Sequence, residues 1–361
     1  EHHYPGDFIV EYIGQTRGWF YTMHVLSVAL FDRPAFRNCI CHGVVLDEDG
    51  RKLSKRLRNY PDPEEVFETI GSDALRWFLV ASPILRGLDL RIDREGSGIS
   101  EVVRLVLNPI WNSWYFFTLY ANVDGYRAAW RTDSEHLLDR YVLAKTHELV
   151  TGVTRRLDEY DLAGACGEIA SFLDALNNWY IRRSRERFWG GADGGVDRDA
   201  FDTLYTVLHT LTRVAAPLLP FLTEEVYRGL TGEGSVHLAD WPAAADLPTD
   251  AELVRSMDRV REVCSAALSL REARNLRVRL PLARLTVAGR DTAALEGYRD
   301  LIADELNVKE VAFSDDLAAF GRFVLRPNGR VLGPKLGGDV QKVIKAAKDG
   351  QWTAGDDGTV A

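Results

Sequence analysis

Three successive segments carry apolar residues at steps of three and four, and that spacing restricts the middle of the chain to packed helices. Leu138, Val142, Leu149, Val153 and Leu157 share one helical face, and Leu162, Cys166, Ile169, Leu173, Leu176 and Tyr180 share the next. Leu204, Leu208, Leu211, Ala215 and Leu218 form a third stripe. A helix with one apolar stripe must bury it against a neighbour, so three in succession predict a helix bundle over residues 96–245. The stretch SEVVRLVLNPIWNSWYFFTLYA, residues 100–121, is apolar nearly all round and predicts a helix buried between the bundle and the region before it.

Residues 1–95 alternate instead between helix and strand signals. GWFYTMHVLSVALF reads as a helix, FRNCICHGVVL as an extended run, and DPEEVFETI and SDALRWFLVAS as two short helices. Asp62 as N-cap, Pro63 at the first helical position and Glu65 behind them make a helix start. Residues 250–361 predict a small α/β domain: Leu253, Met257, Val260, Cys264 and Ala267 mark a helix, and LARLTVAG and VKEVAF read as strands. The fold class expected is therefore α/β, then mainly α, with a small α/β domain at the end. GGADGG at 190–195 follows no strand and reads as a flexible connection, not a phosphate loop.

Composition narrows the function classes. With 361 residues, 46% of them hydrophobic and 27% charged, the chain is long enough for two or three cored domains, and disorder and collagen are excluded. No apolar run reaches the roughly 20 residues that span a bilayer, so no membrane partner is expected. Four cysteines without framework spacing suggest a reducing, cytoplasmic setting. Cys39, Cys41 and His42 stand too close together for a zinc knuckle, and no zinc site is expected. The first residue is Glu1, which raises the expectation of a piece of something longer.

Against a net charge of -9, DEDGRKLSKRLRNYPDP at 47–63 packs Arg51, Lys52, Lys55, Arg56 and Arg58 into eight residues without an acid. Such a cluster is either a solvated basic loop or a holder of phosphates, in which point charges and the Ser54 hydroxyl meet charge that builds up on oxygens as a bond breaks. Its position, after an extended run that ends in a glycine turn and before a capped helix, is where open α/β sheets bind ligands.

GRKLSKRLRN resembles the Lys-Met-Ser-Lys-Ser loop of class I aminoacyl-tRNA synthetases. The longer stretch from CHGVVLDEDG to DALRWFLVAS is similar to that motif in its family setting, including a Gly-x-Asp-x-Leu-Arg element. DFIVEYIGQTRGWFYTMHVL resembles the segment that precedes the loop in isoleucyl-tRNA synthetases, and YDLAGACGEIASFLDALNNWYIRRSRERFW resembles their anticodon-binding helices. RVRLPLARLTV, ELNVKEV and RPNGRVLGPKLG are similar to their C-terminal extension, in the branch without a C-terminal zinc cluster. The resemblance implies the second half of a Rossmann-like catalytic domain at 1–95, an anticodon-binding bundle at 96–245 and a small tRNA-contacting domain at 250–361. Valyl and leucyl synthetases are the nearest enzymatic alternatives, and a stand-alone tRNA-binding module without catalysis is the non-enzymatic one.

The same resemblance implies ATP with Mg2+, isoleucine and tRNA(Ile) as partners of a monomer. Lys52 and Lys55 would meet the β and γ phosphates with Ser54 as a hydroxyl donor, and Lys55 would act in the transition state. His42, Gly43 and Val44 would pass the adenine through backbone groups. Glu11 and Gln15 would lie on the substrate side, with Trp19 as an aromatic wall for isoleucine. Leu53 and Arg56 replace the family's Met and final Ser, and Gly14 replaces an Asp expected to touch the ribose. None of the eight histidines forms the His-x-Gly-His element that grips the phosphates from the other side, and no editing insertion is present, so the expectation is a C-terminal portion unable to activate isoleucine alone. Trp179, Arg182, Arg183, Arg185 and Arg187, beside Phe188 and Trp189, are the expected contact for unstacked tRNA bases. The alternative is that these arginines clamp the bundle to the catalytic part through ion pairs. Arg322, Arg326, Arg330 and Lys335 form a second RNA candidate.

Overall fold

A computed structural model describes residues 3–190, 195–232, 234–317, 319–320 and 325–353. Most of GGADGG and the RNA candidate Arg322 lie outside those residues. The chain divides into two compact units, Glu1–Arg255 and Ser256–Ala361.

In the first unit, strand β1 (Gly6–Tyr12) pairs in parallel with β2 (Phe36–His42), Glu11 opposite Cys41 and Tyr12 opposite His42. Parallel neighbours need a crossover, and helix α1 (Trp19–Phe31) supplies it. The extended run does not continue unbroken: it stops at Gly43 and resumes as β3 (Val45–Asp47), which pairs in parallel with the distant β4 (Leu90–Ile92). Between them lie the basic loop and helices α2 (Pro63–Thr69) and α3 (Ser72–Val80). The expected helix start is present, with the Asp62 carboxylate accepting from the Glu64 N–H at 3.0 Å.

Helices α4 (Ser97–Val102) and α5 (Asn108–Asp124) are joined by a π-helical turn, Val103–Leu107. The bundle continues with α6 (Leu137–Asp158), α7 (Leu162–Asp174), a second π-helical stretch at Ala175–Ile181, α8 (Arg182–Phe188), α9 (Arg198–Ala215) and α10 (Pro220–Thr231). Acids cap two starts: Asp161 accepts from Gly164 and Asp197 from Ala200. The predicted stripes form the core, with Val142, Val153, Ile169, Leu176, Leu204, Leu208 and Leu211 all fully buried. Each such side chain contributes about 1.5–3 kcal/mol by leaving water.

The 100–121 segment departs from expectation. Ile110, Phe117 and Ala121 are buried, yet Trp111, Tyr115, Leu119 and Val123 form an exposed row at steps of four. One face of α5 packs on the bundle and the other has no cover among the described residues. Helix α1 is likewise open, with Tyr21, Leu26, Leu30 and Phe31 more than half exposed.

In the second unit, which begins inside helix α11 (Ala251–Glu272), strand β5 (Leu285–Ala288) pairs in parallel with β6 (Val311–Ser314). The crossover contains α12 (Arg299–Leu306), and Leu295, Ile302, Leu306 and Val311 are buried. Short helices α13 (Gly329–Leu336) and α14 (Val340–Lys348) follow.

Two polar clasps join the α/β part to the bundle within the first unit. Asp73, on α3 and 5% exposed, accepts from the N–H of Phe221 at 3.1 Å and of Leu222 at 2.8 Å, capping α10 from outside its own helix. Arg76, one turn on, donates twice to the Pro217 carbonyl, at 2.7 and 3.2 Å. Arg86 pairs at 2.7 Å with Asp161, the cap of α7, which Arg156 holds from the other side at 2.9 Å. Burial pushes the Asp73 carboxyl up, and the two N–H groups work in the opposite direction. Replacing a capping acid by Ala typically costs about 0.5–2 kcal/mol. Asp73→Ala is therefore expected to lower the unfolding free energy of the first unit, measured by urea titration, by that amount, with Asp73→Asn, which keeps an acceptor, losing less.

Candidate functional site

The basic stretch is a closed loop, and its base is built on Asp47, the last residue of β3. Asp47, 3% exposed, accepts from the Arg51 N–H at 2.7 Å, the Arg51 side chain at 2.9 Å and the Asn59 amide at 2.8 Å. Asn59 in turn accepts from the Ser54 N–H at 2.9 Å and donates to the Lys52 carbonyl at 3.2 Å. A backbone bridge between Leu46 and Lys52 and a turn on the Ser54 carbonyl, which accepts from Leu57 and Arg58, complete the shape. The Asn59 hydrogen bond first, then those from Arg51, hold the Asp47 carboxyl down at about 2 against the effect of burial.

The loop's cations differ in availability. Arg51 is committed to Asp47 and Asp49. Lys52, Lys55, Arg56 and Arg58 are exposed and make no ion pair with any described residue. Ser54 is half-buried, with its N–H held by Asn59.

Four of the other expected residues gather at the carboxyl ends of β1 and β2, the edge where parallel sheets take ligands. Glu11 is the penultimate residue of β1 and His42 the last of β2, and Gln15 and Trp19 lie on the connection that follows β1. Gln15 accepts from the Trp19 N–H at 2.9 Å, so its side-chain carbonyl is used to start α1, while Trp19 stays 48% exposed. Gly43 is fixed by close approach: a Cβ there would lie 2.0 Å from the Leu88 carbonyl oxygen. The backbone contact expected from Gly43 and Val44 meets an obstacle. The Gly43 N–H is donated to Ile84 at 2.8 Å and the Val44 N–H to Asp89 at 3.1 Å, so neither donor is open to a nucleotide in this conformation. His42 is similarly turned inward, its Nδ1 2.8 Å from the Gly43 carbonyl.

The expected RNA cluster divides in two. Trp179 is 4% exposed and lies inside the bundle, with Arg183 stacked over its ring at 5.5 Å. Arg187 also points inward, to Asp139 at 2.6 and 2.8 Å and to Asp197 at 2.7 Å. Asp139 is fully buried and accepts in addition from Tyr180 at 2.9 Å and Ser134 at 2.7 Å. Burial and the Asp139 charge push the Tyr180 phenol up, so it remains a donor. Burial alone would favour neutral arginine, but the hydrogen bonds to Asp139 and Asp197 more than offset it. These two residues hold α6, α8 and the start of α9 together, so the ion-pair reading applies to Arg187, with partners inside the bundle. Arg182 and Arg185 are exposed on the outer side of α8, and Arg182 donates to the Asn178 carbonyl at 2.8 Å.

Sequence reading passed over Asp47, Asn59, Asp73 and Arg76. The signal for the last pair was present in the Gly-x-Asp-x-Leu-Arg element, which puts acid and base three apart on one helical face. Nothing local pointed to Asp47 and Asn59, whose contact spans the whole loop.

The first unit thus consists of parallel strands with a cationic loop, clasped to a helical bundle. Residues 1–91 match the family model for class I tRNA synthetases (I, L, M and V), and residues 139–287 match the anticodon-binding domain of tRNA ligase. The chain is 59% identical over 99% of its length to an isoleucine--tRNA ligase of Nocardia farcinica, covering 34% of that relative. For the Mycobacterium tuberculosis ligase the figures are 58%, 99% and 33%, and for that of Bifidobacterium longum 50%, 98% and 34%. A crystal structure of a ternary complex of Agrobacterium radiobacter K84 agnB2 LeuRS with tRNA and LeuAMS shares the fold, with a TM-score of 0.53 at 22% identity over 69% of this chain and 29% of that one. The chain belongs to the class I aminoacyl-tRNA synthetases, and within them to the isoleucine--tRNA ligases. It spans about a third of the length of the curated relatives it matches.

Two outcomes test this geometry. Because the folded Asp47 value lies below the usual 3.8, its stabilisation is complete above about pH 4 and is lost as pH falls toward 2; Asn59→Ala should move the Asp47 carboxyl titration, followed by NMR, back toward 3.8. Arg187→Ala leaves the Asp139 charge buried without its main partner, and should cost about 3–5 kcal/mol in denaturant unfolding of the first unit.

Proposed function

We propose that this chain acts within a longer polypeptide that attaches isoleucine to tRNA(Ile) at the expense of ATP. The observation that carries the reading is the lysine loop: four cations without acidic partners among the described residues, held by a brace between the buried Asp47 and the half-buried Asn59 at the end of a parallel strand. In the proposed reaction the isoleucine carboxylate attacks the α phosphate of Mg-ATP, and pyrophosphate leaves under the charge of Lys52 and Lys55, with the Ser54 hydroxyl donating. The terminal ribose hydroxyl of the tRNA then attacks the isoleucyl carbonyl of the adenylate, the acyl–phosphate bond breaks, and AMP leaves. Little proton transfer is required, so positioning and charge stabilisation set the rate. Glu11, Gln15 and Trp19 border the amino-acid side, Trp19 through its exposed ring. Arg182 and Arg185 present charge to RNA on the outer side of α8.

The open apolar faces of β1 and α1 support a role for further protein at that edge. Phe8, Val10, Tyr12, Leu26 and Leu30 are each more than 40% exposed, and large apolar side chains left open together mark surface for a further contact.

The test is Lys55→Ala in the full-length polypeptide. Removing one preorganised transition-state donor slows such steps by about 100- to 1,000-fold. Isoleucine-dependent pyrophosphate exchange should fall by that much while tRNA affinity stays nearly constant. An unaltered exchange rate would contradict the assignment.

A further inference from the structure

The second unit contains a cavity of about 160 Å³. On one side lie the last turns of α11, with Ala267, Leu270 and Arg271, and on the other the approach to the small sheet, with Leu282, Leu285 and Val308. Backbone pairing fixes the second wall: the Leu282 N–H donates to the Asn307 carbonyl at 3.1 Å, and the Leu282 carbonyl accepts from Lys309 at 2.9 Å. Beyond α11 the chain turns at Asn275, whose φ is 55°, and Leu276, which donates back to the Arg271 carbonyl at 2.8 Å, also borders the cavity. The described lining is apolar apart from three arginines, and it holds no acid.

The arginines decide what such a space can hold. Arg271 is 5% exposed, and its guanidinium donates to three carbonyls: Arg277 and Leu280 at 2.6 Å, and Leu306 at 3.1 Å. Its Nε, shielded from water, has no acceptor among the described residues. All three acceptors are neutral, and a guanidinium does not shed its proton. Its charge therefore stands in the cavity wall with no described acid to balance it, an arrangement that burial penalises. Arg284 is taken by Glu310 at 2.8 Å, whereas Arg274 is exposed and pairs with no described acid. Apolar walls beside unbalanced positive charge select a ligand with an aliphatic body and an anionic end. Size sets the length: a cavity of about 150 Å³ with apolar walls takes up benzene, so this one suits a body of about six carbons. An ammonium group would find no acid in the lining, which disfavours a zwitterionic amino acid. We propose that this cavity is a binding site for a short aliphatic monocarboxylate. Its chain lies against Leu276, Leu282, Leu306 and Val308, and its carboxylate is held by Arg274 and balances the charge of Arg271. The site is built wholly from the second unit and does not depend on the lysine loop.

The experiment titrates the methyl-labelled full-length polypeptide with hexanoate and follows the NMR signals of Leu276, Leu282, Leu306 and Val308, with hexylamine and isoleucine titrated in parallel. Hexanoate should shift these signals saturably, and the two controls should shift them far less. Arg274 is exposed, so Arg274→Gln leaves the packing intact while it removes one charge-assisted hydrogen bond. It should raise the hexanoate dissociation constant about tenfold. Val308→Phe fills the cavity from its half-buried wall and should abolish binding, with an unchanged thermal midpoint showing that the unit stays folded. Shifts that never saturate, equal shifts from hexanoate and hexylamine, or an Arg274→Gln variant that binds hexanoate as tightly as the wild type would each overturn the assignment.

Discussion

A carboxylate taken out of water must find partners, and three such groups organise the first unit. Asp47 draws in Arg51 and Asn59 and so closes the lysine loop. Asp73 takes two N–H groups at the start of α10 and fastens the helix pair behind that loop to the bundle. Asp139, with no exposure at all, collects Arg187, Tyr180 and Ser134 from separate segments. The apolar stripes supply most of the burial energy, but they tolerate sliding. The buried acids do not, because a displaced partner leaves charge unsatisfied.

This arrangement gives the proposed chemistry a rigid frame with one adjustable part. The loop's ends are held by Asp47, Asn59 and the Leu46–Lys52 bridge, whereas the side chains of Lys55, Arg56 and Arg58 are exposed and pair with no described acid. Charge kept free on a fixed base suits a polyphosphate, since little reorganisation is needed when negative charge develops. Helix α3, the second helix after the loop, carries both Asp73 and Arg76, so its attachment to the bundle is set by a few hydrogen bonds.

Much of this was legible beforehand. The periodic stripes found the bundle helices, and Asp62–Pro63 found the start of α2, because both depend on residues within one or two turns of each other. The lysine loop stood out because an acidic chain rarely concentrates cations without acids. Less legible was the division within NNWYIRRSRERFW. The sequence presents its arginines as equivalents, but a π-helical turn at Ala175–Ile181 brings Trp179, Tyr180 and Ile181 all inward, and Arg187 follows them to Asp139. The apolar all-round helix at 100–121 was also misleading: hydrophobicity marks surface that can be buried, and says nothing of whether a neighbour is at hand to bury it.

By itself, then, the sequence determined the bundle helices, the start of α2 and where the cations concentrate, because those properties arise from neighbours along the chain. Tertiary structure decided which charges remain available. Arg51 and Arg187 are spent on buried acids, and Lys52 and Lys55 pair with no acid among the described residues. The deciding contacts join residues as far apart as Asp73 and Leu222, a separation of 149 positions that no local pattern records.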